Sequence, residues 1–453
     1  MKKYPVQGIL VTAILLTLAL LIGGCSPSAA PSSPVAPAPA TSAAPAPATS
    51  SLPAPAPTTP APGTSAPAPA PASPGASGAP VVRIGALGGQ TGPAAGPVTA
   101  WFTEMGNIFK YTNEVEGGID GIKLDWKIVD NKGNPEGAIT AYKELRDSYN
   151  PQIFVVIEDY YLFGIKDTIN QDKSVAITSS PLDPRFYMPP QNYFSIAIPT
   201  SDGLAGYAKW VQQSWKGPGQ PKIGVLYWDF ASGEMAWNMA RGWIAKQGID
   251  TVPVTYKYTL MDFKPQLMRL RDAGVTHIWV LGDSQQAALV IRDMKGLGLN
   301  DKIPVTFNEM VEADVVLSLA GKDAEGYTIL RSESPYSDQS EAAKLYTRIW
   351  EWAGKKDKWS DNRLPMTLKA VINAAVRQAA ADVGKDKIDK IAIYNALNKL
   401  KSIDTWGNSH DFGYGPDRRL GVQTMKISKI TGNGTVSISD FVTLPRTFEG
   451  IDK

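Results

Sequence analysis

The sequence predicts an α/β protein of two lobes, each built on a mostly parallel sheet flanked by helices. Short apolar runs alternate with amphipathic helical patterns from Val81 to Arg331, as in chains that form parallel sheets. The turn-rich stretch Pro199–Gly203 interrupts this alternation, which then begins again. About 370 residues follow Pro80, and a folded part of that length favours two domains. We therefore expect two sheets whose strand carboxyl ends can face each other across a cleft.

Residues 1–25 are interpreted as an export signal. Two lysines precede the apolar run Ile9–Ile22, which is short for a membrane span. The segment Ile22–Cys25 resembles the lipobox of bacterial lipoproteins, and this resemblance implies lipidation of Cys25 and anchoring to the membrane. A plain secretory signal is the alternative, but Cys25 is the only cysteine of the chain.

Residues 26–80 are predicted to be a disordered linker of Pro, Ala, Ser and Thr. The segment has no charged residue and almost no large apolar one, so it cannot bury a core. With polyproline II character, its contour is on the order of 170 Å. We expect it to hold the lipid and the folded part apart, and a glycosylated stalk is the alternative.

The folded part is predicted to cross between the lobes more than once. Lobe one takes residues 81–199 and lobe two takes residues 200–331. The helical runs that follow do not continue the alternation of lobe two, so residues 332–405 are predicted to return to lobe one. Residues 406–453 are predicted to form the hinge return and the last strands of lobe two. Several crossings make a hinge, and closure about it is the expected motion.

Lobe one is organised around Gln152–Pro181, which is predicted to form a strand, a loop, a helix and a second strand. The predicted strands of its first part are Val81–Leu87, Ile122–Val129, Ile153–Ile157, Val175–Thr178 and Tyr193–Ile198. The predicted helices are Thr99–Asn113, Glu136–Tyr149 and Leu162–Gln171. Ile153–Ile157 is a continuous apolar run, as expected for a parallel strand that is buried on both faces.

Lobe two repeats the same alternation. Its predicted strands are Lys222–Tyr227, Thr251–Tyr258, His277–Leu281, Ile303–Phe307 and Tyr327–Arg331. Its predicted helices are Gly203–Trp215, Gly233–Gln247, Phe263–Ala273 and Gln285–Leu297. The later helices are Ser340–Ala353, Pro365–Val383 and Ile388–Leu400, followed by the extended pieces Gln423–Ile430 and Val436–Thr443. A hairpin is predicted at Thr431–Gly434.

Composition and motifs argue against several function classes. The net charge is +2 with both signs mixed, and no basic stripe with interleaved aromatics indicates nucleic acid. The glycine-rich turn Gly88–Pro93 does not fit a nucleotide-binding motif. The two histidines, His277 and His410, stand in unrelated contexts and are interpreted as structural or solvent-facing rather than catalytic. No nucleophile elbow or Cys/His zinc set occurs, so we expect neither an enzyme nor a cofactor.

The candidate ligand-binding residues share one feature, which is that they follow the carboxyl ends of predicted strands. In lobe one they are Gln90, Tyr160, Tyr161, Ser179 and Ser180. In lobe two they are Asp229, Phe230, Asp283, Ser284 and Glu309. Aromatic faces stack on a ligand and exclude water, hydroxyls orient it, and carboxylates suit an ammonium or amide N–H. Any one of these side chains can also be an ordinary loop residue.

Three segments carry a resemblance to a known family: Ile84–Pro93, Asn113–Gly121, and Val129–Asn131 followed by Pro135. Their order and spacing resemble the type I periplasmic-binding fold, in its branch of branched-chain amino-acid (Leu/Ile/Val-binding-like) ABC transporter receptors. The resemblance runs from Val81 to about Thr443. It implies two lobes joined by a multi-strand hinge and a ligand trapped between them. It also implies delivery of that ligand to permease subunits rather than chemistry.

The family's site transfers to this sequence only in part. Tyr160 and Tyr161 stand where the resemblance implies small hydroxyl residues for the ligand carboxylate. Ser179 and Ser180 match the second carboxylate-binding segment in character, and Glu309 matches an acid that contacts the ligand ammonium. The aromatic residue that family members often carry near Asp283 is missing from that stretch of sequence. We therefore expect a larger, flatter or less anionic ligand than an aliphatic amino acid, such as an aromatic acid, amide or amine.

The resulting functional hypothesis is a lipid-anchored, extracytoplasmic substrate-binding protein of an ABC importer. It would capture an amino acid or a similar small molecule by lobe closure. A surface sensor that passes ligand occupancy to a membrane partner is the alternative.

Overall fold

The computed structural model describes residues 79–92, 95–157, 159–182, 184–335, 339–355 and 363–447. The predicted export signal, Cys25 and nearly all of the predicted linker lie outside the described residues. The side chain of Tyr160 also lies outside them. The described residues show the predicted alternation of strands and helices.

The sheet of lobe one is parallel and has the strand order β2-β1-β3-β4-β5 among the described residues. Its strands are β1 (Val81–Gly88), β2 (Lys123–Asp130), β3 (Ile153–Val156), β4 (Val175–Thr178) and β5 (Tyr193–Ser195). The central strand β3 pairs with β1 on one side and β4 on the other, and all of its side chains are buried. This burial explains why β3 reads as an unbroken apolar run.

Helices cover both faces of this sheet. Those of lobe one are α1 (Ala95–Glu114), α2 (Pro135–Glu144), α3 (Lys166–Gln171), α9 (Glu341–Trp352), α10 (Leu364–Val383) and α11 (Lys390–Lys399). Helix α1 buries the apolar face that the sequence predicts, which includes Trp101, Met105 and Phe109. Helices α9 and α10 pack on α1, and α11 lies against β4. The late helices therefore contact lobe one, while the exact residue boundaries of the lobes stay predictions.

The sheet of lobe two is parallel from β6 to β10 and ends in antiparallel strands. Its order is β12-β11-β10-β9-β8-β6-β7, with β13 paired to β11. The strands are β6 (Lys222–Trp228), β7 (Asp250–Tyr256), β8 (His277–Val280), β9 (Val305–Phe307), β10 (Thr328–Arg331), β11 (Thr424–Thr431), β12 (Gly434–Ser437) and β13 (Val442–Thr443). Thr431 pairs with Gly434, which confirms the predicted hairpin.

The helices of lobe two are α4 (Thr200–Ser214), α5 (Ala231–Lys246), α6 (Lys264–Asp272), α7 (Ser284–Gly296) and α8 (Ala313–Ala320). Helix α8 was not predicted from the sequence. No helix among the described residues is both long and apolar enough to cross a bilayer.

Three connections between the lobes run beside one another. Ser195, at the end of β5, accepts a hydrogen bond from the Gly421 N–H at 3.0 Å and donates its own N–H to the Arg419 carbonyl at 2.8 Å. After β10, the N–H of Ser334 donates to the carbonyl of Asn408 at 2.6 Å. The return segment is thus hydrogen-bonded to both outgoing connections, which confirms the prediction of a multi-strand hinge.

Candidate functional site

Each parallel sheet has a switch point, where the strand order reverses and ligands bind at the carboxyl ends of the strands. In lobe one, β1 lies between β2 and β3, so the switch point is the crevice after β1 and β3. In lobe two, β6 lies between β7 and β8, so the switch point follows β6 and β8. Topology therefore selects Gln90 and Tyr161 in lobe one, and Phe230 and Asp283 in lobe two.

The turn after β1 is held together by Asp130, the last residue of β2. Its carboxylate accepts the backbone N–H groups of Gln90 at 2.9 Å and Thr91 at 3.2 Å. Burial would raise the pKa of Asp130, but these bonds and the Thr91 hydroxyl keep it below its usual range. A Cβ on Gly89 would lie 2.9 Å from the Cα of Gly133, so the turn requires glycine there. Asp130 thus shapes the rim, and the partly exposed side chain of Gln90 is left at its edge.

The polar groups after β3 and β4 are mostly used inside lobe one. Asp159 is fully buried and accepts the Tyr187 hydroxyl at 2.7 Å. Ser179 is also buried, and its hydroxyl donates to the carbonyl of Ile157 at 3.2 Å. Ser180 is partly exposed, and its hydroxyl has no hydrogen-bond partner within the described part of the chain. Of the two predicted serines, only Ser180 therefore has a hydrogen atom to offer a ligand.

Tyr161 of lobe one lies near Tyr258 of lobe two. Burial and the hydrogen bond to Asp283 raise the pKa of the Tyr258 phenol, and the nearby Tyr161 phenol adds to this increase. The two phenols, which follow β3 in lobe one and β7 in lobe two, therefore lie within electrostatic range of each other.

Three aromatic side chains form a cluster beside the switch point of lobe two. Trp228 and Phe230 are stacked, with ring centroids 5.0 Å apart and planes 3° apart. Tyr258 packs edge-on against both rings, at 6.0 Å from Trp228 and 6.1 Å from Phe230. Phe230 keeps 41% of its surface exposed, which is unusual for a large apolar side chain. This aromatic cluster presents a flat apolar face at the rim.

Asp283 and Ser284 are engaged in capping hydrogen bonds. One oxygen of Asp283 accepts the N–H groups of Gln285 at 2.8 Å and Gln286 at 3.2 Å, which caps α7. The other oxygen accepts the Tyr258 hydroxyl at 2.5 Å. The hydroxyl of Ser284 accepts the Glu312 N–H at 2.9 Å. The stretch of sequence around Asp283 carries no aromatic residue, but Tyr258, which follows β7, supplies one in space.

Glu309 lies after β9, against the first turn of α4. Its Oε1 accepts the Thr200 hydroxyl at 3.0 Å, whereas Oε2 is shielded from solvent and has no partner among the described residues. Burial raises the pKa of Glu309 to about 7, although hydrogen bonds and Arg331 oppose the increase. An acid with one unsatisfied, buried oxygen suits an N–H donor.

The remaining predicted residues have simple surroundings. Asp229 is exposed, and its side chain has no partner within the described ranges. The ring of His277 packs edge-on against Trp215, and that of His410 stacks on Phe441. Where the structure is described, no three His, Cys, Asp or Glu side chains are placed to hold a metal ion. Trp228 and Tyr258 were missed as site residues, although both stand at strand carboxyl ends.

A parallel sheet, a second sheet that is parallel from β6 to β10, and three linking connections define the class: a two-lobed binding protein. The chain belongs to the periplasmic binding protein family, whose model matches residues 81–435. This confirms the family resemblance predicted from the sequence. Membership implies the binding of a small solute and a location outside the cytoplasm.

Solved structures share this fold at low sequence identity. A branched-chain amino-acid ABC transporter protein from Thermus thermophilus, with bound valine, has a TM-score of 0.72 and 18% identity, covering 81% of this chain and 97% of its own. A fatty-acid ABC transporter substrate-binding protein from Thermomonospora curvata has a TM-score of 0.67 and 19% identity, covering 80% and 92%. A solute-binding protein from R. palustris, in complex with 4-hydroxybenzoate, has a TM-score of 0.65 and 13% identity, covering 82% and 99%. No curated protein matches the chain.

Proposed function

We propose that this protein is the lipid-anchored, extracytoplasmic receptor of an ABC importer and that it captures a small aromatic molecule with an ammonium or amide group. The observation that carries the ligand class is the aromatic cluster of Trp228, Phe230 and Tyr258 at the switch point of lobe two. Cys25 supplies the anchor, and permease subunits receive the ligand.

The aromatic cluster favours a flat ligand over an aliphatic one. A ring that stacks on Phe230 replaces water on an exposed aromatic face, and such contacts add to simple area burial. The structure from R. palustris with 4-hydroxybenzoate supports the proposal, because that protein binds an aromatic molecule in the same fold. The valine-bound and fatty-acid proteins indicate that the fold itself does not select one class.

The polar groups of the site favour a ligand that donates N–H groups over a ligand that carries a carboxylate. Oε2 of Glu309 is unsatisfied but shielded from solvent in this structure, so it accepts an ammonium or amide N–H once the side chain turns toward the ligand. The hydroxyl of Ser179 points its hydrogen at the Ile157 carbonyl, so it cannot also donate to a ligand carboxylate. Asp283 acts through Tyr258, whose ring it holds beside Phe230.

Capture takes place by closure of the lobes about the three connections. Ligand bound to the aromatic cluster is covered by Tyr161 from lobe one. Solution scattering tests this step, because the radius of gyration should fall when ligand is added. A radius that does not change at saturating ligand would rule out capture by closure.

Thermal-shift screening tests the ligand class. Aromatic amines and amides should raise the melting temperature, since a ligand at 100 times its Kd adds about 2.7 kcal/mol of stability. Leucine, isoleucine and valine serve as the aliphatic comparison set. A response to these three alone would overturn the proposed ligand class, while leaving the transport role in place.

A further inference from the structure

The carboxylate of Glu309 lies against the first turn of α4, inside lobe two. Its Oε1 accepts the hydroxyl of Thr200, the first residue of that helix, at 3.0 Å. Its Oε2 is shielded from solvent and lies beside Gly203, where an added Cβ would come within 3.6 Å of it. One oxygen of the acid is therefore bonded inside the lobe and the other is covered there, although the proposed function requires this acid to receive an N–H group of the ligand.

Arg331, the last residue of β10, fixes the backbone that carries Glu309. Its guanidinium donates from Nη1 to the Glu309 carbonyl at 2.8 Å and from Nη2 to the Val311 carbonyl at 2.6 Å. The Arg331 side chain is buried, and two bonds from one planar guanidinium hold the loop after β9 in a single geometry. The carboxylate can then reach a ligand only by rotation of the Glu309 side chain.

Thr200 is the residue whose hydrogen bond such a rotation breaks. Thr200 is buried, and its hydroxyl donates to Glu309 within the described residues. A hydroxyl that donates to a carboxylate makes the same kind of bond as an ammonium or amide N–H of a ligand. The N-cap residue of α4 is Pro199, which makes no side-chain cap, so this helix end also favours a negative charge beside it. A ligand therefore has to replace an existing partner of the acid.

The charges around Glu309 act together with this bond. Burial is the largest influence and raises the pKa of Glu309 to about 7, the Thr200 hydroxyl and Arg331 lower it, and the buried Glu333 raises it. The Thr200 bond thus stabilises the ionised acid in its inward position. Loss of the hydroxyl should raise the pKa of Glu309 further, so variants at Thr200 are best compared well above or well below pH 7.

We propose that Thr200 is a positioning residue, which holds the carboxylate of Glu309 inside lobe two until an N–H donor of the ligand displaces its hydroxyl. The inference rests on the proposed function, because that function makes Glu309 the acceptor of the ligand. One hydrogen bond to the carboxylate breaks as another forms. A ligand without an N–H donor cannot replace the broken bond, so Thr200 adds to the selection of donors by lobe two.

Carboxyl labelling tests the holding role without a ligand. Carbodiimide and glycinamide are added to the full chain at pH 6, and peptide mass spectrometry measures labelling of Glu309 relative to the exposed Glu325. Thr200→Val removes the hydroxyl and keeps the shape of the side chain, so Glu309 should be labelled about fivefold faster. Thr200→Ser keeps a hydroxyl and should retain the parent rate. Thr447→Val removes a hydroxyl bonded to Asp202 on the same turn of α4, and this matched control should not change the rate.

Calorimetry with phenylethylamine tests the exchange of partners. At pH 9 the carboxyl of Glu309 is ionised and the probe carries an ammonium group. Thr200→Val should bind phenylethylamine about tenfold more tightly than the parent, because no internal bond has to be broken. Thr200→Ser and Thr447→Val should bind it as the parent does. A role of Thr200 in folding alone would not raise affinity.

Two results would overturn the inference. The first is equal labelling of Glu309 in the parent and in Thr200→Val. The second is phenylethylamine binding that is no tighter in Thr200→Val than in the parent. Faster labelling of Thr200→Val, with no binding of phenylethylamine to either protein, would instead support the holding role and contradict the proposed ligand class. Failure of the inference and failure of the proposed function therefore give different results.

Discussion

The rims of the two lobes use their polar groups differently. In lobe one, the buried Asp159 and Ser179 bond to neighbouring groups of the same lobe. In lobe two, Phe230 is exposed and Glu309 keeps one oxygen unsatisfied. Asp283 and Ser284 of lobe two are also bonded within their lobe, so the contrast lies in the exposed aromatic face and the unsatisfied acid oxygen. From this contrast we propose that lobe two selects the ligand, while lobe one covers it. Variants on each rim should therefore have unequal effects on affinity.

The largest effect is expected from Glu309→Gln, which removes the charge that receives an ammonium. Hydrogen bonds to charged groups contribute about 1.5–3 kcal/mol, so affinity for an aromatic amine should fall up to about 100-fold. Calorimetry at pH 8 gives the measurement. Glu325→Gln, an exposed acid of the same lobe, should leave affinity unchanged. Equal affinity of Glu309→Gln and the parent would show that the ligand does not touch this acid.

The pH dependence of stability tests the same acid without a ligand. Burial raises the pKa of Glu309 from 4.5 to about 7, so the folded protein keeps a proton that the unfolded chain releases between these values. Its contribution to stability is therefore full below pH 4.5 and declines as pH rises to 7. Glu309→Gln should flatten the stability profile in this window. Affinity for an ammonium should instead rise as pH passes 7 and the acid ionises.

Glu104 of lobe one provides the comparison. Burial raises its pKa from 4.5 to about 8, so its contribution declines over a wider window in the same direction. Glu104→Gln should flatten the profile up to pH 8 without changing ligand affinity. A loss of affinity in this variant would contradict the proposal that lobe two alone selects the ligand.

Phe230→Ala should produce the next largest effect. Loss of the stacking face should cost about 2 kcal/mol, or about 30-fold in affinity for an aromatic ligand, and little for an aliphatic one. The control is Phe441→Ala, which removes a stacked phenylalanine of lobe two away from the switch point. Similar losses in both variants would point to general destabilisation instead of ligand contact.

Tyr161→Ala tests the covering role of lobe one. Affinity should fall at least tenfold, about 1.4 kcal/mol, because the ring closes the site from the opposite side. Fluorescence or calorimetric titration measures the change. Unchanged affinity would remove Tyr161 from the site and leave lobe two to act alone.

The smallest effect is expected from Tyr258→Phe, which keeps the ring and removes its hydrogen bond to Asp283. A hydrogen bond to a carboxylate contributes about 1.5–3 kcal/mol, of which we expect only part to affect ligand binding, about fivefold in affinity. Tyr256→Phe is the matched control, since its hydroxyl donates to the Leu281 carbonyl below the rim. If both variants bind equally well, Asp283 has no role in positioning the cluster.

Much of the fold was predictable because strands and helices have local sequence patterns. Ile153–Val156 is a buried strand as expected, and the apolar spacing of α1 identifies its buried face. The short helix α8 was missed, since its eight residues lack a long periodic pattern. The stretch after β3 begins with a 3₁₀ helix, Asp159–Ile165, where an α-helix from Leu162 was predicted.

The site was predictable in position but less so in chemistry. Residues at strand carboxyl ends can be identified without a structure, and Phe230 and Glu309 were proposed as candidates in this way. Which of them are already bonded inside the protein depends on strand order. Tyr258 follows β7 and Asp283 follows β8, and β6 lies between these two strands, so residues 25 positions apart in sequence meet above it. The capping of α7 by Asp283 likewise appears only once the helix start is fixed.

The most direct test is mass spectrometry of the small molecule released when the purified protein is denatured. We expect an aromatic compound with an ammonium or amide group, recovered chemically unchanged. Recovery of leucine, isoleucine or valine in its place would contradict the assignment of ligand selection to the aromatic cluster of lobe two.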